Sequence, residues 1–147
     1  MSIRHRRRIR KAIARQGQPV ELTLYEVVDM GSQGDMASEL TTLETRAIVD
    51  TGGTVESQIE RDLVFSDVDS DVVVYLRDGV TEGVRAENYD GNLVRPVITS
   101  VDTTFENAAT RMRLLNSGPM NRDRVFQFNQ AHEWSDAGCI VAAAVLD

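Results

Sequence analysis

This 147-residue chain contains three acidic residues whose spacing is typical of a metal site: Asp67, Asp69 and Asp71. The pattern D-x-D-x-D opens the calcium loop of EF-hands, which also requires glycine at the sixth position and glutamate at the twelfth. Here Val72 occupies the sixth position and Asp78 the twelfth. We therefore predict an acidic, solvated loop and no metal site.

The other residues that could ligate zinc or act as nucleophiles are scattered. Zinc needs clustered nitrogen and sulfur ligands, whereas His5, His132 and Cys139 occur singly. Cys139 begins an apolar run, where burial suppresses the thiolate, so we predict a buried small hydrophobic residue. The chain contains no G-x-S-x-G elbow, P-loop or dinucleotide fingerprint. The sequence thus predicts no enzyme and no cofactor.

Basic residues are concentrated at the N-terminus. Residues 1–15 hold seven basic groups and no acid, whereas the other 132 residues carry nine basic groups against 23 acidic ones, a formal charge of −14. Lys11 is the only lysine beside fifteen arginines, a composition that resembles proteins of salt-loving archaea and their viruses. Concentrated salt shortens the repulsion between surface carboxylates to a few ångströms. We predict a cationic segment on an anionic body.

The cationic segment has the periodicity of an amphipathic helix over residues 2–16, within an N-terminal unit of residues 1–17. Ile9, Ala12 and Ile13 share one face and are expected to pack the helix. Gly17 is expected to end the helix in a left-handed conformation. The opposite face is basic and is predicted to contact an anionic partner or subunit through Arg4, Arg7, Arg8, Lys11 and Arg15.

From residue 18 onward the pattern is that of β structure, and residues 18–147 are predicted to form one barrel-like domain. The fold class is mainly β, an N-terminal amphipathic helix followed by a small barrel or sandwich of about seven to eight strands. Residues 29–40 are small, polar and glycine-containing, which predicts a long exposed loop. The predicted strands are residues 20–25, 41–49, 71–77, 94–101, 111–115, 124–130 and 139–146.

Two segments of this domain allow alternatives. Residues 54–65 suit either a short helix or the entry of a strand. The run Cys139–Leu146 is predicted as a strand covered on both faces, within a C-terminal strand extension at residues 119–147. Its three consecutive alanines also favour a terminal helix. His132 and Trp134 are expected in the loop before it.

Three docking modes are open for the basic helix: a neighbouring subunit or protein partner, the acidic body of the same chain, or the DNA backbone. Arginines neutralise phosphates without reading sequence, and the helix lacks aromatic residues that could stack on bases. Membrane binding is not predicted, because only Ile3, Ile9 and Ile13 could insert. The longest apolar run, eight residues, is too short to span a bilayer.

The order of these features resembles a known family over roughly residues 8–115. In residues 12–24 (AIARQGQPVELTL) a helix ends near a glycine and a P-V-x-L-x strand begins, and residues 71–79 and 93–98 have the pattern of later barrel strands. This resembles the head-closure, or stopper, proteins of the head–tail connector of tailed viruses. The region beyond Gly118 exceeds that family's pattern, which keeps a tail terminator or another neck ring protein as alternatives.

The resemblance implies a structural virion protein of the neck, assembled in the host cytoplasm. It would form a homo-oligomeric ring of six or twelve copies, join a portal or adaptor ring to tail proteins, and surround viral DNA without sequence-specific binding. Exposed strand edges, that of residues 139–146 among them, would pair with the next subunit. The loop residues expected to gate the channel or dock the tail are Met30, Gly31, Gly34 and Met36.

A small nucleic-acid-binding module that uses the arginine-rich helix is the alternative from a different functional class. It predicts DNA affinity that falls steeply with salt. Loop 29–40 could equally be an ordinary surface excursion without a gating role.

Overall fold

The computed structural model describes residues 3–50, 70–101, 106–115, 124–134 and 138–147. In this part of the chain one helix is followed by eight strands, so the prediction of a mainly β fold with an N-terminal helix is confirmed. The elements are α1 (Ile3–Gln16), β1 (Gln18–Asp29), β2 (Asp35–Asp50), β3 (Val72–Arg77), β4 (Ala86–Glu87), β5 (Leu93–Val94), β6 (Arg111–Leu114), β7 (Val125–Trp134) and β8 (Cys139–Leu146).

Six of the strands close an antiparallel barrel in the order β1-β2-β3-β8-β7-β6, and β4 and β5 form a separate two-stranded sheet. Alternation decides which side chains enter the barrel, since successive residues of a strand point to opposite faces. In β1, Val20, Leu22 and Leu24 are completely buried, whereas Glu21 and Thr23 between them are partly exposed. Because these pairings close on themselves, the fold is a barrel and not the sandwich that the pattern also allowed, and the barrel has six described strands where about seven to eight were predicted.

Strand β8 has buried residues on both of its faces, as the apolar run predicted. Ala142 and Ala144 face the inner core, whereas Val141 and Ala143 belong to a second cluster. Ala144 lies opposite Phe128 of β7, so a small residue leaves room for a large ring inside the barrel. β8 pairs with β3 on one side and β7 on the other. The expectation that its edge is available to a neighbouring subunit is therefore wrong.

Residues 29–40, predicted as a long loop, are mostly strand. β1 continues to Asp29 and β2 begins at Asp35, and the two are in register from Tyr25↔Glu39 to Asp29↔Asp35. We call this paired segment, residues 25–39, the arm. It was missed because a two-stranded ribbon needs no buried face, so its strands lack the alternation that marks a half-buried strand.

The strand predicted at residues 94–101 is also shorter than expected, because β5 covers only Leu93–Val94. Pro96 lacks the N–H that a ladder needs. Farther on, Thr99 bonds through its side chain, since its Oγ1 donates to the Ala108 carbonyl at 2.6 Å. Its N–H donates to Thr110 Oγ1 at 2.9 Å. These contacts tie the segment to the start of β6 without a regular ladder.

The C-terminal region completes the barrel. Strand β7 runs to Trp134 and so includes His132, which the sequence analysis assigned to a loop. Residues 119–147 thus supply two of the six barrel strands and are not an addition outside it. The ambiguous segment 54–65 lies outside the described residues.

Gly17 joins α1 to β1, and its role differs from the predicted left-handed helix end. It is not among the glycines with positive φ. Its N–H instead continues the helical bonding by donating to the Ile13 carbonyl at 3.0 Å. A Cβ there would overlap the Ile13 carbonyl oxygen and lie 3.3 Å from the backbone N and C of Ala47. Glycine is needed because the turn lies directly against β2.

Gly17→Ala is expected to lower the free energy of unfolding by about 1–3 kcal/mol, because the clash is with backbone that cannot rotate away. Urea unfolding followed by circular dichroism measures it. The control is Gly83→Ala, which meets no atom within 4 Å but has a φ of +79°. The free energy of unfolding of that variant should fall by only about 1 kcal/mol or somewhat more, because alanine is strained in the left-handed conformation. A Gly17→Ala protein as stable as the wild type would contradict this account.

Candidate interaction surfaces

Helix α1 packs on the outside of the barrel through its apolar face. Ile13 is 3% exposed and lies in the cluster that includes Val73 of β3 and Val141 of β8. Ile9 packs against the same cluster from one turn earlier. Burying an isoleucine side chain contributes about 1.5–3 kcal/mol. The apolar residues Ile9, Ala12 and Ile13 thus face the barrel to differing degrees, with Ala12 half-buried.

Polar contacts hold the same helix at its C-terminal half. Arg10 Nη2 donates to Asp78 Oδ1 at 2.6 Å, and Asp78 directly follows β3. Arg46 of β2 donates to the Gly17 carbonyl, which would otherwise be an unpaired end of the helix. Arg10 was not among the predicted contact residues, since it lies between the apolar and basic faces. Its partner is 68 residues away, so no local pattern indicates the pair.

The basic face of α1 is turned away from the barrel where the structure describes it. Lys11 and Arg15 are exposed. The side chains of Arg4, Arg7 and Arg8 lie outside the described residues. Of the three docking modes, association with the chain's own body does occur, but it is carried by apolar residues and the Arg10–Asp78 pair. Lys11 and Arg15 take no part in that association.

A cleft of about 710 Å³ opens between α1 and one end of the barrel. Its charged lining comes from the ends of several elements, with four guanidinium groups and three carboxylates. Arg77 and Arg95 are exposed, and neither forms an ion pair with a residue that the structure describes. We call this the arginine cleft; its charged residues are Arg10, Arg46, Arg77, Arg95, Asp78, Glu82 and Glu133.

A smaller cleft of about 180 Å³ adjoins the first and shares Gly79, Arg95 and Glu133 with it. Its lining includes Val97, which is 56% exposed, together with Ile98 and Ile140. The two clefts therefore adjoin in one depression, which is lined by aliphatic as well as charged groups.

The arm ends in a tight, hydrogen-bonded turn. The Asp29 carboxylate accepts a bond from the Gly31 N–H at 2.8 Å, and the Met30 N–H donates to the Gly34 carbonyl at 2.9 Å. Gly31 and Gly34 have φ values of +66° and +84°, which favour glycine. Met30 is half-buried and Met36 is exposed. The residues predicted to gate the channel or dock the tail thus lie in a structured tip.

The base of the arm is braced against the rest of the chain. The guanidinium of Arg111 lies 5.2 Å from the centre of the Tyr25 ring, a cation–π distance. The Arg111 side chain also pairs with Asp147 at 3.1 Å. On the other face, Glu26 Oε1 accepts a bond from the Tyr89 N–H at 2.8 Å, next to the small β4–β5 sheet. The arm is therefore held at its root and exposed at its tip.

The residues that the sequence offered for metal binding or catalysis have largely structural roles where the structure describes them. Asp67 and Asp69 lie outside the described residues. Asp71 Oδ2 accepts a bond from the Leu146 N–H at 2.7 Å, so it fixes the end of β8. Cys139 is completely buried beneath α1. Among the described residues, no group of three or more His, Cys, Asp or Glu side chains could hold a metal ion, and no described helix is long and apolar enough to cross a membrane.

No family model matches the chain, and neither a curated protein nor a solved structure matches it.

Ile13→Ala should lower the free energy of unfolding by about 2–5 kcal/mol, because it empties the contact between α1 and the barrel. Lys11→Ala, on the exposed face of the same helix, is the matched control and should change stability by less than about 0.5 kcal/mol. Denaturant titration reports stability, and limited trypsin digestion at the helix arginines reports undocking. Equal stability of the two variants would contradict the described packing.

Proposed function

We propose that the protein is a structural, ring-forming component of the neck of a tailed virus, in the role of head closure between a portal or adaptor ring and the tail. The observation that carries the proposal is the separation of charge on a rigid body. An amphipathic helix is fastened to a closed barrel by its apolar face and by the Arg10–Asp78 pair, and Lys11 and Arg15 are exposed.

The arrangement suits a protein that functions by binding other proteins. A closed barrel has no unpaired edge along its paired strands, which limits uncontrolled strand addition. Among the described elements, the arm projects from the barrel and helix α1 lies against its outer surface. The body outside residues 1–15 carries a formal charge of −14, which would repel passing DNA, whereas the basic helix face would bind an acidic neighbouring ring. The resemblance of residues 8–115 to stopper proteins supports the same role.

Tail terminators and other neck ring proteins would use the same properties. The choice of head closure over these other positions in the neck is therefore part of the proposal. The expected location is the virion, between head and tail, after assembly in the host cytoplasm. No catalytic step and no cofactor is proposed.

The purified protein should assemble into rings, alone or on a portal-type partner, in several-molar salt. Six copies of the 16.3-kDa chain would give a particle of about 98 kDa and twelve about 196 kDa. Sedimentation across a salt series measures the mass, and negative-stain images show whether the particle is annular.

The matched control for the helix face is a pair of double variants with the same charge change. Lys11→Gln/Arg15→Gln alters the exposed helix face, whereas Arg85→Gln/Arg124→Gln alters exposed arginines elsewhere on the body. Only the first should weaken attachment to a portal-type ring. A protein that remains monomeric at every salt concentration and joins no head or tail particle would overturn the proposal.

A DNA-binding module is the second candidate, and the exposed Lys11 and Arg15 are the observation that favours it. Backbone contacts by arginine release counterions, and each contact adds about 0.9 to the slope of log affinity against log salt. If the helix binds DNA, replacing Arg4, Arg7, Arg8 and Arg15 with Gln should reduce that slope by up to about four. Fluorescence anisotropy with a duplex of mixed sequence measures it, and an unchanged slope would exclude this candidate.

A further inference from the structure

We infer that the arginine cleft is the receptor for the arm of a second copy of this chain, so that copies associate head to tail. The inference rests on the proposed ring-forming function and specifies the surfaces that would form the ring. It follows from three features of the described residues: the position of the arm, its charge and the chemistry of the cleft.

The arm and the arginine cleft lie at opposite ends of the β1–β2 hairpin. Asp29 pairs with Asp35 at the tip, whereas Pro19 pairs with Arg46 at the cleft. Ten residues of strand separate Pro19 from Asp29, which is roughly 33 Å at about 3.3 Å per residue. The tip of a chain therefore lies far from its own cleft.

The arm projects from the barrel with little else against it. β1 pairs with β6 over Val20–Thr23, and β2 pairs with β3 over Ala47–Asp50. Within the part of the chain that the structure describes, residues 25–29 and 35–39 have only each other as strand partners. An element held at its root and exposed at its tip is suited to insertion into a neighbour.

The arm is acidic and carries apolar groups at its surface. Residues 16–45 contain six carboxylates and no lysine or arginine. Asp29, Asp35 and Glu39 are exposed on the arm. Val27 and Met36 are 39% and 38% exposed, respectively, so the arm also presents apolar side chains to solvent.

The depression described above has the complementary chemistry. Arg77 and Arg95 are exposed, without an ion pair to a described residue, on a body whose net charge is negative. Glu82 and Glu133 also line the cleft, so its four guanidinium groups outnumber its three carboxylates by one. The adjoining cleft offers Val97 and Ile140 to aliphatic side chains. A volume of about 710 Å³ holds several side chains, which matches the tip of an arm better than a whole domain. Guanidinium–carboxylate pairs are also the charge pairs with the best-defined geometry.

Opposite placement of two complementary surfaces gives a heterologous contact. Each copy then binds one neighbour with its arm and another with its cleft, and the series closes into a ring when the rotation allows. A second copy is favoured over an unrelated acidic peptide, because the chain itself supplies a segment with the required charge, apolar groups and exposure.

A charge-swap experiment in the full chain tests the contact. The arm variant is Asp29→Arg/Asp35→Arg and the cleft variant is Arg77→Glu/Arg95→Glu, each studied at the lowest salt at which the wild type assembles. Each variant alone should associate at least about tenfold more weakly, since like charges would face each other. A mixture of the two should recover assembly, because alternating copies restore opposite charges at every contact.

Three controls make the outcome decisive. Glu87→Arg/Asp90→Arg changes exposed acids outside the arm and should assemble normally. Thermal unfolding checks that every variant is folded, and Asp→Asn and Arg→Gln versions replace any that is not. Asp35→Cys/Arg77→Cys in one chain should give disulfide-linked multimers on mild oxidation, since the two positions of one chain lie too far apart to bond.

The possible failures are distinguishable. If wild-type rings form and neither charge variant weakens them, the arm–cleft contact is overturned and the neck function is unaffected. Loss of assembly in the cleft variant alone, or in both without recovery on mixing, means that the cleft receives another segment, and the inference is equally overturned. A wild type that neither assembles nor joins viral particles overturns both proposals.

Discussion

Burial of the outer surface of β3 and β8 beneath helix α1 is the interaction on which the rest of the structure depends. It makes β8 a strand with two buried faces, which explains its eight-residue apolar run. It also fixes the direction of the helix, because Ile13 cannot face the barrel unless Lys11 and Arg15 face away from it. Apolar contacts dock the helix, Arg10 pairs with Asp78 of the body, and Lys11 and Arg15 remain exposed.

The same docking creates the arginine cleft. Arg10 approaches Asp78 only because the helix lies across the end of β3, and Arg46 reaches the Gly17 carbonyl because the turn there is pressed against β2. The turn at Gly17, where the close approach to β2 requires glycine, therefore also helps to form the arginine cleft. Local packing, rather than an isolated charge motif, places four guanidinium groups at one end of the barrel.

The sequence predicts best where burial is strongest. The bounds of β8 and the inward residues of β1 follow from their apolar pattern, because a core selects residue types on known faces. The arm at residues 25–39 was missed because both strands are largely solvated and carry no such selection. The pair Arg10–Asp78 and the cleft were beyond local patterns, since they join residues 68 positions apart. Likewise, the strand predicted at residues 94–101 is interrupted at Pro96, which lacks an N–H, and Thr99 forms hydrogen bonds through its side chain.

Surfaces missed by pattern analysis are also those best suited to contact with other chains. Core packing does not constrain the type of a residue that faces solvent in the monomer. Contacts with partners, or solubility, constrain it instead. Solubility alone accounts for the carboxylates of the arm, and Val27 and Met36 add exposed apolar side chains beside them. Solubility gives no reason for exposed Arg77 and Arg95 at the far end of an anionic barrel. Contact between these two surfaces accounts for both features, and it does so with groups that a single copy cannot bring together.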